Sequence, residues 1–242
     1  MAKVVPYSNS TESKKEQVSA MFNNIAAKYD KLNQALSLGI HRIWRKKTIA
    51  LLRETQPKQI LDVATGTADF AIEALKLSPD KITGIDISEN MLAVGRKKIE
   101  EKKLSAKINL LLADSENLPF PDHSFDAITV GFGVRNFENL EKGLSEMNRV
   151  LKNNGTLAIL EFSKPKAFGI KQLYKFYFNY VCPLIGKMIS KDNRAYNYLP
   201  ESVYAFPDRN ELISILQTTG YTNCYYKSLS LGVACIYIGH KA

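Results

Sequence analysis

Apolar positions change their spacing twice along the chain. Over residues 14–29, Val18, Met21, Phe22 and Ile25 recur at intervals of three and four, which predicts a helix. Residues 43–53 predict a second helix, ending before Pro57. From residue 60 onward, short apolar runs alternate with helical periodicity. Strands are predicted over 60–63, 81–86, 108–113, 125–130 and 156–162, with helices over 68–77, 89–103 and 140–151. The run at 108–113 has the character of a buried strand. This alternation predicts an α/β fold with a parallel sheet covered on both faces. A helix over 209–218, closed by Gly220, leads into strands at 221–229 and 233–240 joined around Gly232. That spacing suits a hairpin, which adds one antiparallel strand to the sheet.

Residues 164–207 fit neither rhythm. They hold ten of the chain's aromatic residues, among them Tyr174, Tyr177, Tyr198 and Phe206. Two readings stand. Either the segment is a helical cap whose rings pack on the core, or it is an apolar lid over a greasy substrate or lipid.

Composition adds boundaries. In 242 residues, 45% are hydrophobic and 24% charged, enough to bury a sizeable core. No apolar run reaches the ~18 residues of a spanning helix, and no secretory signal is visible at the polar start, so a cytoplasmic protein is expected. Cys182, Cys224 and Cys235 show no metal-ligand spacing, so neither a disulfide framework nor a metal site is expected. Lys and Arg total 33 against 24 Asp and Glu, a net charge of +9. That excess admits nucleic acid, an anionic membrane surface or an acidic ligand.

The segment Ile60-Leu61-Asp62-Val63-Ala64-Thr65-Gly66-Thr67-Ala68-Asp69 is a strand feeding a helix through a small-residue turn. In open α/β sheets the ligand crevice lies at the carboxyl ends of the strands. Gly66 lets backbone approach a bound group, and the following helix offers its amides. Asp86 closes the second strand, where a carboxylate can accept hydrogen bonds from both hydroxyls of a ribose. The G-x-G-x-x-G dinucleotide fingerprint is absent, which disfavours a pyrophosphate ligand and suits a nucleoside without phosphates. Thr67 and Asp69 also have plainer readings, as a cap and as a first-turn acid favoured by the helix dipole.

With Asp114-Ser115 after the third strand and residues 118–126 leading into the fourth, this pattern resembles the class I S-adenosylmethionine-dependent methyltransferases over about residues 58–163. The resemblance implies a Rossmann-like seven-stranded sheet, mostly parallel, with the last strand antiparallel. It implies that Asp62, Gly66, Thr67 and Asp69 line the methionine side of S-adenosyl-L-methionine, Asp86 the ribose, and Asp114 and Ser115 the adenine.

Two further segments narrow the class. One runs from Phe22 through Tyr29-Asp30 to His41-Arg42-Ile43-Trp44-Arg45. The other comprises Gly131-Phe132-Gly133-Val134-Arg135-Asn136, Arg149-Val150-Leu151-Lys152, Gly155 and Leu160-Glu161-Phe162-Ser163-Lys164-Pro165. Together they are similar to the UbiE/MenG quinone C-methyltransferases of menaquinone and ubiquinone biosynthesis, and the resemblance extends across nearly the whole chain. Departures are few. Leu32 replaces a usual methionine, Asn153-Asn154 a Pro-Gly, Gly131 a frequent serine and Thr65 a common glycine or cysteine. The resemblance implies one domain, with a helical lid (1–56), a cofactor-binding core (57–163), an aromatic insertion (164–207) and a final helix and hairpin (208–242).

The acceptor implied is a hydroquinone with an isoprenoid tail. Methylating its ring carbon requires removal of a phenolic proton, whose ordinary pKa is around 10, so a base or an anion-stabilising group must help. Arg135, Asn136, His41 and Tyr29 are the candidates. His41 and Trp44 have the alternative role of packing the lid. Arg42, Arg45, Lys46 and Lys47, with Lys164, Lys166, Lys171 and Lys175, are expected beside the lids, either docking on anionic headgroups or as solvated helix faces. The length and short amino terminus favour a demethylmenaquinol over the methoxy-benzoquinol of ubiquinone synthesis. Rival readings are an RNA methyltransferase using Cys182-Pro183, a sterol or phospholipid methylase, and a non-catalytic S-adenosylmethionine-binding protein. Nucleic acid is not expected as a partner, and the oligomeric state, a homodimer included, stays open.

Overall fold

The structure is a computed structural model that describes residues 4–181 and 193–242. The Cys182-Pro183 pair and residues 184–192 of the aromatic insertion lie outside the described residues.

The chain opens with α1 (Lys14–Ile25), started by a capping box. Glu16 N donates to Ser13 Oγ at 3.3 Å, and Ser13 N donates back to Glu16 Oε2 at 2.8 Å. The single helix expected over 14–29 is divided. A 3-10 turn, Ala26–Lys28, separates α1 from α2 (Tyr29–Ser37). Ala26 is buried there and its turn packs on α5 (Glu89–Glu101), so tertiary packing overrides the continuous periodicity. Leu38 and Gly39 then adopt left-handed conformations, φ 48° and 80°, and reverse the chain into α3 (Ile40–Leu51), which begins three residues before its expected start.

The sheet contains β1 (Gln59–Val63), β2 (Lys81–Asp86), β3 (Ile108–Leu112), β4 (Phe125–Gly131), β5 (Leu151–Phe162), β6 (Tyr221–Leu229) and β7 (Ala234–Lys241). Their order is β3-β2-β1-β4-β5-β7-β6. The first five are parallel neighbours. β7 runs antiparallel to both β5 and β6, as the hairpin predicts. The strand order reverses between β1 and β4, and there the crevice opens. β3 corrects one expectation. It is one edge of the sheet, with Leu111 and Leu112 exposed, so its apolar run does not mark a strand buried on both faces.

Helices cover both faces. α4 (Asp69–Ala74), α3 and α5 pack on one side, where Trp44, Leu52, Phe70 and Leu92 are buried with Ile60, Ile82 and Ile236. α6 (Leu140–Val150) and α9 (Asn210–Thr218) cover the other, with Leu144, Met147, Leu212 and Leu216 fully buried against β4 and β5. The insertion contributes α7 (Ile170–Phe176) and α8 (Asn193–Ala205). Tyr174 packs with Val203, and Tyr198 with α1. Among the described residues no helix is long and apolar enough to cross a membrane.

Candidate active site

Everything at the site hangs on the turn from β1 into α4. Ala64, Gly66 and Ala68 all take left-handed φ values, 53°, 56° and 64°. Conformations that alanine adopts reluctantly persist only when surrounding bonds fix them. Asp62 supplies two of those bonds. Its carboxylate, 1% exposed, accepts from Thr65 Oγ1 at 2.6 Å and from Thr129 Oγ1 at 2.7 Å. Burial raises the Asp62 carboxyl to about 6, against the pull of those hydroxyls. It borders neither cavity described below and shapes the turn from behind.

Asp86 fixes the turn from the front. Gly66 N donates to its Oδ2 at 2.8 Å, and Ser88 N donates to its Oδ1 at 2.9 Å. Burial raises its carboxyl pKa, and these backbone amides oppose the rise. Asp86 lines a cleft shared with Gly66, Met91, Asp114, Ser115 and Asn136. Asp114 is partnered already. Lys15 of α1 reaches its Oδ2 at 2.6 Å, and Glu116 N donates to its Oδ1 at 2.9 Å. The Asn136 Oδ1 is buried without a partner among the described residues.

A second, larger cavity of about 700 Å³ adjoins this cleft. The two share Phe22, Tyr29, Ala64, Gly66, Gly131 and Phe132 as common wall. Its lining is mostly apolar and comes from the lid helices, Trp44, Phe162 and the insertion. Thr67, Asp69, His41, Tyr29, Arg45, Arg135 and Tyr198 are among the polar exceptions. The expected residues therefore divide between two compartments. Asp86, Asp114, Ser115 and Asn136 lie on the cleft side, Thr67, Asp69, His41 and Arg135 on the cavity side, and Gly66 and Tyr29 at the junction.

Arg135 sits in the 3-10 turn Val134–Asn136 that follows β4. Its Nη1 pairs with Glu161 Oε1 at 2.9 Å and donates to the Phe132 carbonyl. Its guanidinium lies 5.6 Å from the Phe162 ring centre. The Arg135 Nε has no partner among the described residues, although it is buried. His41 faces the same cavity from α3, with Nδ1 hydrogen-bonded to the Ser37 hydroxyl. Burial, and then the Arg45 cation, depress its imidazole to about 4, so at neutral pH it is uncharged. Burial raises the Tyr29 phenol, so it stays protonated.

Several participants escaped the sequence reading. Lys98 pairs with Asp69 at 2.6 Å and with Asp30 at 2.8 Å. Burial alone would raise the Asp69 carboxyl, but Arg45 and Lys98 together hold it below its ordinary value. Glu161 is fully buried behind Arg135. A lysine on a helix face gives no signal of such a role. Glu161 gave a weak one, a carboxylate closing an otherwise apolar strand. Of the eight basic residues expected on the rim, two turn inward. Arg45 is paired to Asp69 at 2.9 Å, and Lys164 donates to the Phe206 carbonyl at 2.9 Å. The others are exposed. Trp44 packs the lid, as its alternative role predicts, and its Nε1 donates to Ser230 Oγ at 2.9 Å.

A doubly wound sheet with a one-glycine turn, a carboxylate closing β2 and an adjoining cavity defines a Rossmann-like fold with a nucleoside-binding crevice. A solved structure from Thermotoga maritima, described as a SAM-dependent methyltransferase and possible histamine N-methyltransferase, shares this fold with a TM-score of 0.64. It is 17% identical, and the match covers 93% of this chain and 99% of that one. The chain belongs to the ubiE/COQ5 methyltransferase family, whose profile matches residues 10–241. It is 49% identical to a demethylmenaquinone methyltransferase of Bacteroides fragilis, across 99% of this chain and 98% of the relative. It is 43% identical to the ubiquinone/menaquinone biosynthesis C-methyltransferase UbiE of Geotalea daltonii, across 94% and 97%.

Proposed function

We infer that the protein transfers a methyl group from S-adenosyl-L-methionine to a ring carbon of a polyprenylated hydroquinone, converting a demethylmenaquinol to a menaquinol. The observation that carries this reading is the apolar cavity of about 700 Å³ that meets the cofactor turn at Ala64 and Gly66. Its volume lies in the range of small-molecule sites, and its greasy lining suits a ring and the start of an isoprenoid tail.

The cleft residues fit the cofactor. The Asp86 carboxylate has lone pairs left to accept ribose hydroxyls, since each oxygen carries one backbone donor. Asp114 and Ser115 suit the adenine edge, and the partnerless Asn136 Oδ1 offers one further acceptor in the same cleft. Thr67 and Asp69 suit the methionine end. When bound, S-adenosylmethionine supplies an electrophilic sulfonium methyl group.

The chain's own residues do the rest. The junction at Tyr29, Gly66, Gly131 and Phe132 joins the two compartments, so the acceptor ring meets the methyl donor there. The free Nε edge of Arg135 stabilises the negative charge that builds on the quinol oxygen, while Glu161 fixes the guanidinium from behind. Asn136 orients the reacting groups from the cleft. His41, held near 4, stays neutral and is a weak proton acceptor that serves as a hydrogen-bonding group, and Tyr29 closes the junction. Apolar walls exclude water from the reacting oxygen. Exposed Phe168, Leu173, Phe176 and Tyr180, with exposed Lys166, Lys171 and Lys175, fit docking on an anionic membrane surface where such a lipid resides.

The test is an assay with labelled S-adenosylmethionine and reduced demethylmenaquinol or methoxy-benzoquinol, with Asp86→Ala as control. Transfer to demethylmenaquinol, lost in the variant, is expected. A preference for the benzoquinol would reassign the ring, and transfer to neither would overturn the quinol reading.

A further inference from the structure

We propose that Tyr198 is a substrate-contacting residue whose hydroxyl, next to the Arg135 guanidinium, donates a hydrogen bond to the quinol oxygen adjacent to the methylated carbon. The proposal rests on the quinol reading above and adds a residue from the aromatic insertion to it.

Tyr198 lies on α8, is 3% exposed, and is locked by packing against Val18, Met21 and Ile25 of α1. The helix carrying it packs on the turn Val134–Asn136, so Tyr198 and Arg135 form one wall of the large cavity. Both carry an unused donor. Neither the Tyr198 hydroxyl nor the Arg135 Nε has a hydrogen-bond partner among the described residues, and both atoms are buried. Buried polar groups are left unpaired at a cost to stability, so two on one wall of a binding cavity point to a ligand acceptor.

The chemistry of the pair selects the ligand atom. Arg135 and Glu161 are the charged groups that act on Tyr198, one favouring and one opposing its ionisation. Burial dominates and pushes its phenol up to about 12, so it remains a donor across the working pH range. Two fixed donors in an apolar cavity suit an oxygen on which negative charge builds. Their hydrogen bonds strengthen as the quinol proton departs, so they favour the transition state over the ground state.

The experiment compares Tyr198→Phe with wild type and with Tyr204→Phe, an exposed tyrosine on the same helix outside the cavity. Initial rates with demethylmenaquinol are measured from pH 6 to 9.5, and S-adenosylmethionine affinity by calorimetry. Tyr198→Phe is expected to lower kcat about 10- to 100-fold. The acid limb of its kcat profile should move to higher pH, with cofactor Kd within about twofold of wild type. Tyr204→Phe should behave as wild type. An unchanged kcat and unchanged acid limb in Tyr198→Phe would overturn the assignment. So would a loss of turnover matched by equal losses of cofactor affinity and thermal stability, because that marks a packing role. Failure of the wild type to methylate any quinol is a different result. It removes the quinol reading, and this assignment with it.

Discussion

Thr67, in the turn after β1, donates a hydrogen bond of 2.6 Å to Asp30 on the lid helix α2. The same aspartate pairs with Lys98 of α5 at 2.8 Å, and Lys98 also reaches Asp69. Arg45 of α3 completes the set on Asp69. Charge therefore fastens the lid helices α2 and α3 to the turn that meets the cofactor. The Asp30 and Asp69 side chains are 41% and 35% exposed, so water screens these pairs and each contributes at most about 1 kcal/mol. A latch of that strength can open and close during turnover.

Asp30→Ala should therefore raise the KM for S-adenosylmethionine by about 3- to 10-fold, with a melting temperature close to wild type. Added salt should raise the wild-type KM more than the variant's, because the variant has already lost its screened pair. Steady-state kinetics between 20 mM and about 500 mM salt would read this. Equal salt sensitivity in the two proteins would count against an electrostatic latch.

The sheet was legible because most of its strands contain short runs of apolar and β-branched residues, and Lys81–Asp86 and Tyr221–Leu229 match their expected bounds, whereas β5 begins at Leu151, five residues before its expected start. The cofactor side was legible because Gly66 and Asp86 follow a local rule, strand end and turn. The lid was less legible. Nothing in the periodicity of 14–29 reveals the turn at Ala26–Lys28, which depends on packing against α5. The edge position of β3 was hidden too, since its residues are as apolar as a central strand's. Lys98, Glu161 and Tyr198 acquire their surroundings only when distant segments meet, so no spacing rule could single them out.

His41 makes stability depend on pH. Its folded-state pKa of about 4 lies below the ordinary 6.5, because burial and then Arg45 disfavour the imidazolium. The unfolded chain therefore binds more protons than the folded one between pH 6.5 and about 4. The folded state has its full advantage above 6.5 and loses it as pH falls through that window, by on the order of 1–3 kcal/mol. His41→Gln removes this dependence. Thermal melts at pH 7 and pH 4.5 should show a smaller loss of Tm in the variant than in wild type. An equal loss would mean that His41 is protonated in the fold.

The aromatic insertion also presents a greasy, basic edge. Phe168 is 93% exposed, and Leu173 and Phe176 are 65% and 56% exposed where they border the mouth of the cavity. If this edge meets lipid, co-sedimentation with vesicles containing anionic phospholipid should exceed that with neutral vesicles and fall with salt. Lys171→Glu with Lys175→Glu should weaken binding about 10-fold or more, at roughly 1 kcal/mol per charge. Catalysis on a short-tailed, water-soluble quinol should be unaffected, since neither lysine borders the cavity. Binding that ignores vesicle charge would argue for solvated helix faces instead.

Gly131 ends β4 at the junction of the two compartments, facing Phe70 of α4. A Cβ at this position would meet Phe70 Cδ1 at 2.7 Å and Cε1 at 3.2 Å. Phe70 is 4% exposed and packed in the core, so a Cβ at Gly131 would force its ring to shift toward the cavity it also lines. Gly131→Ser alone should destabilise the fold by about 1–3 kcal/mol through overpacking. It should also slow turnover, because Gly131 borders both the cleft and the cavity. Adding Phe70→Leu removes the ring that collides, so the double variant should recover at least half of the stability lost by Gly131→Ser. Urea denaturation of wild type, both single variants and the double variant closes the cycle. A coupling energy above about 1 kcal/mol is expected for a direct clash, and additive losses would show that Phe70 is not what requires glycine at this position.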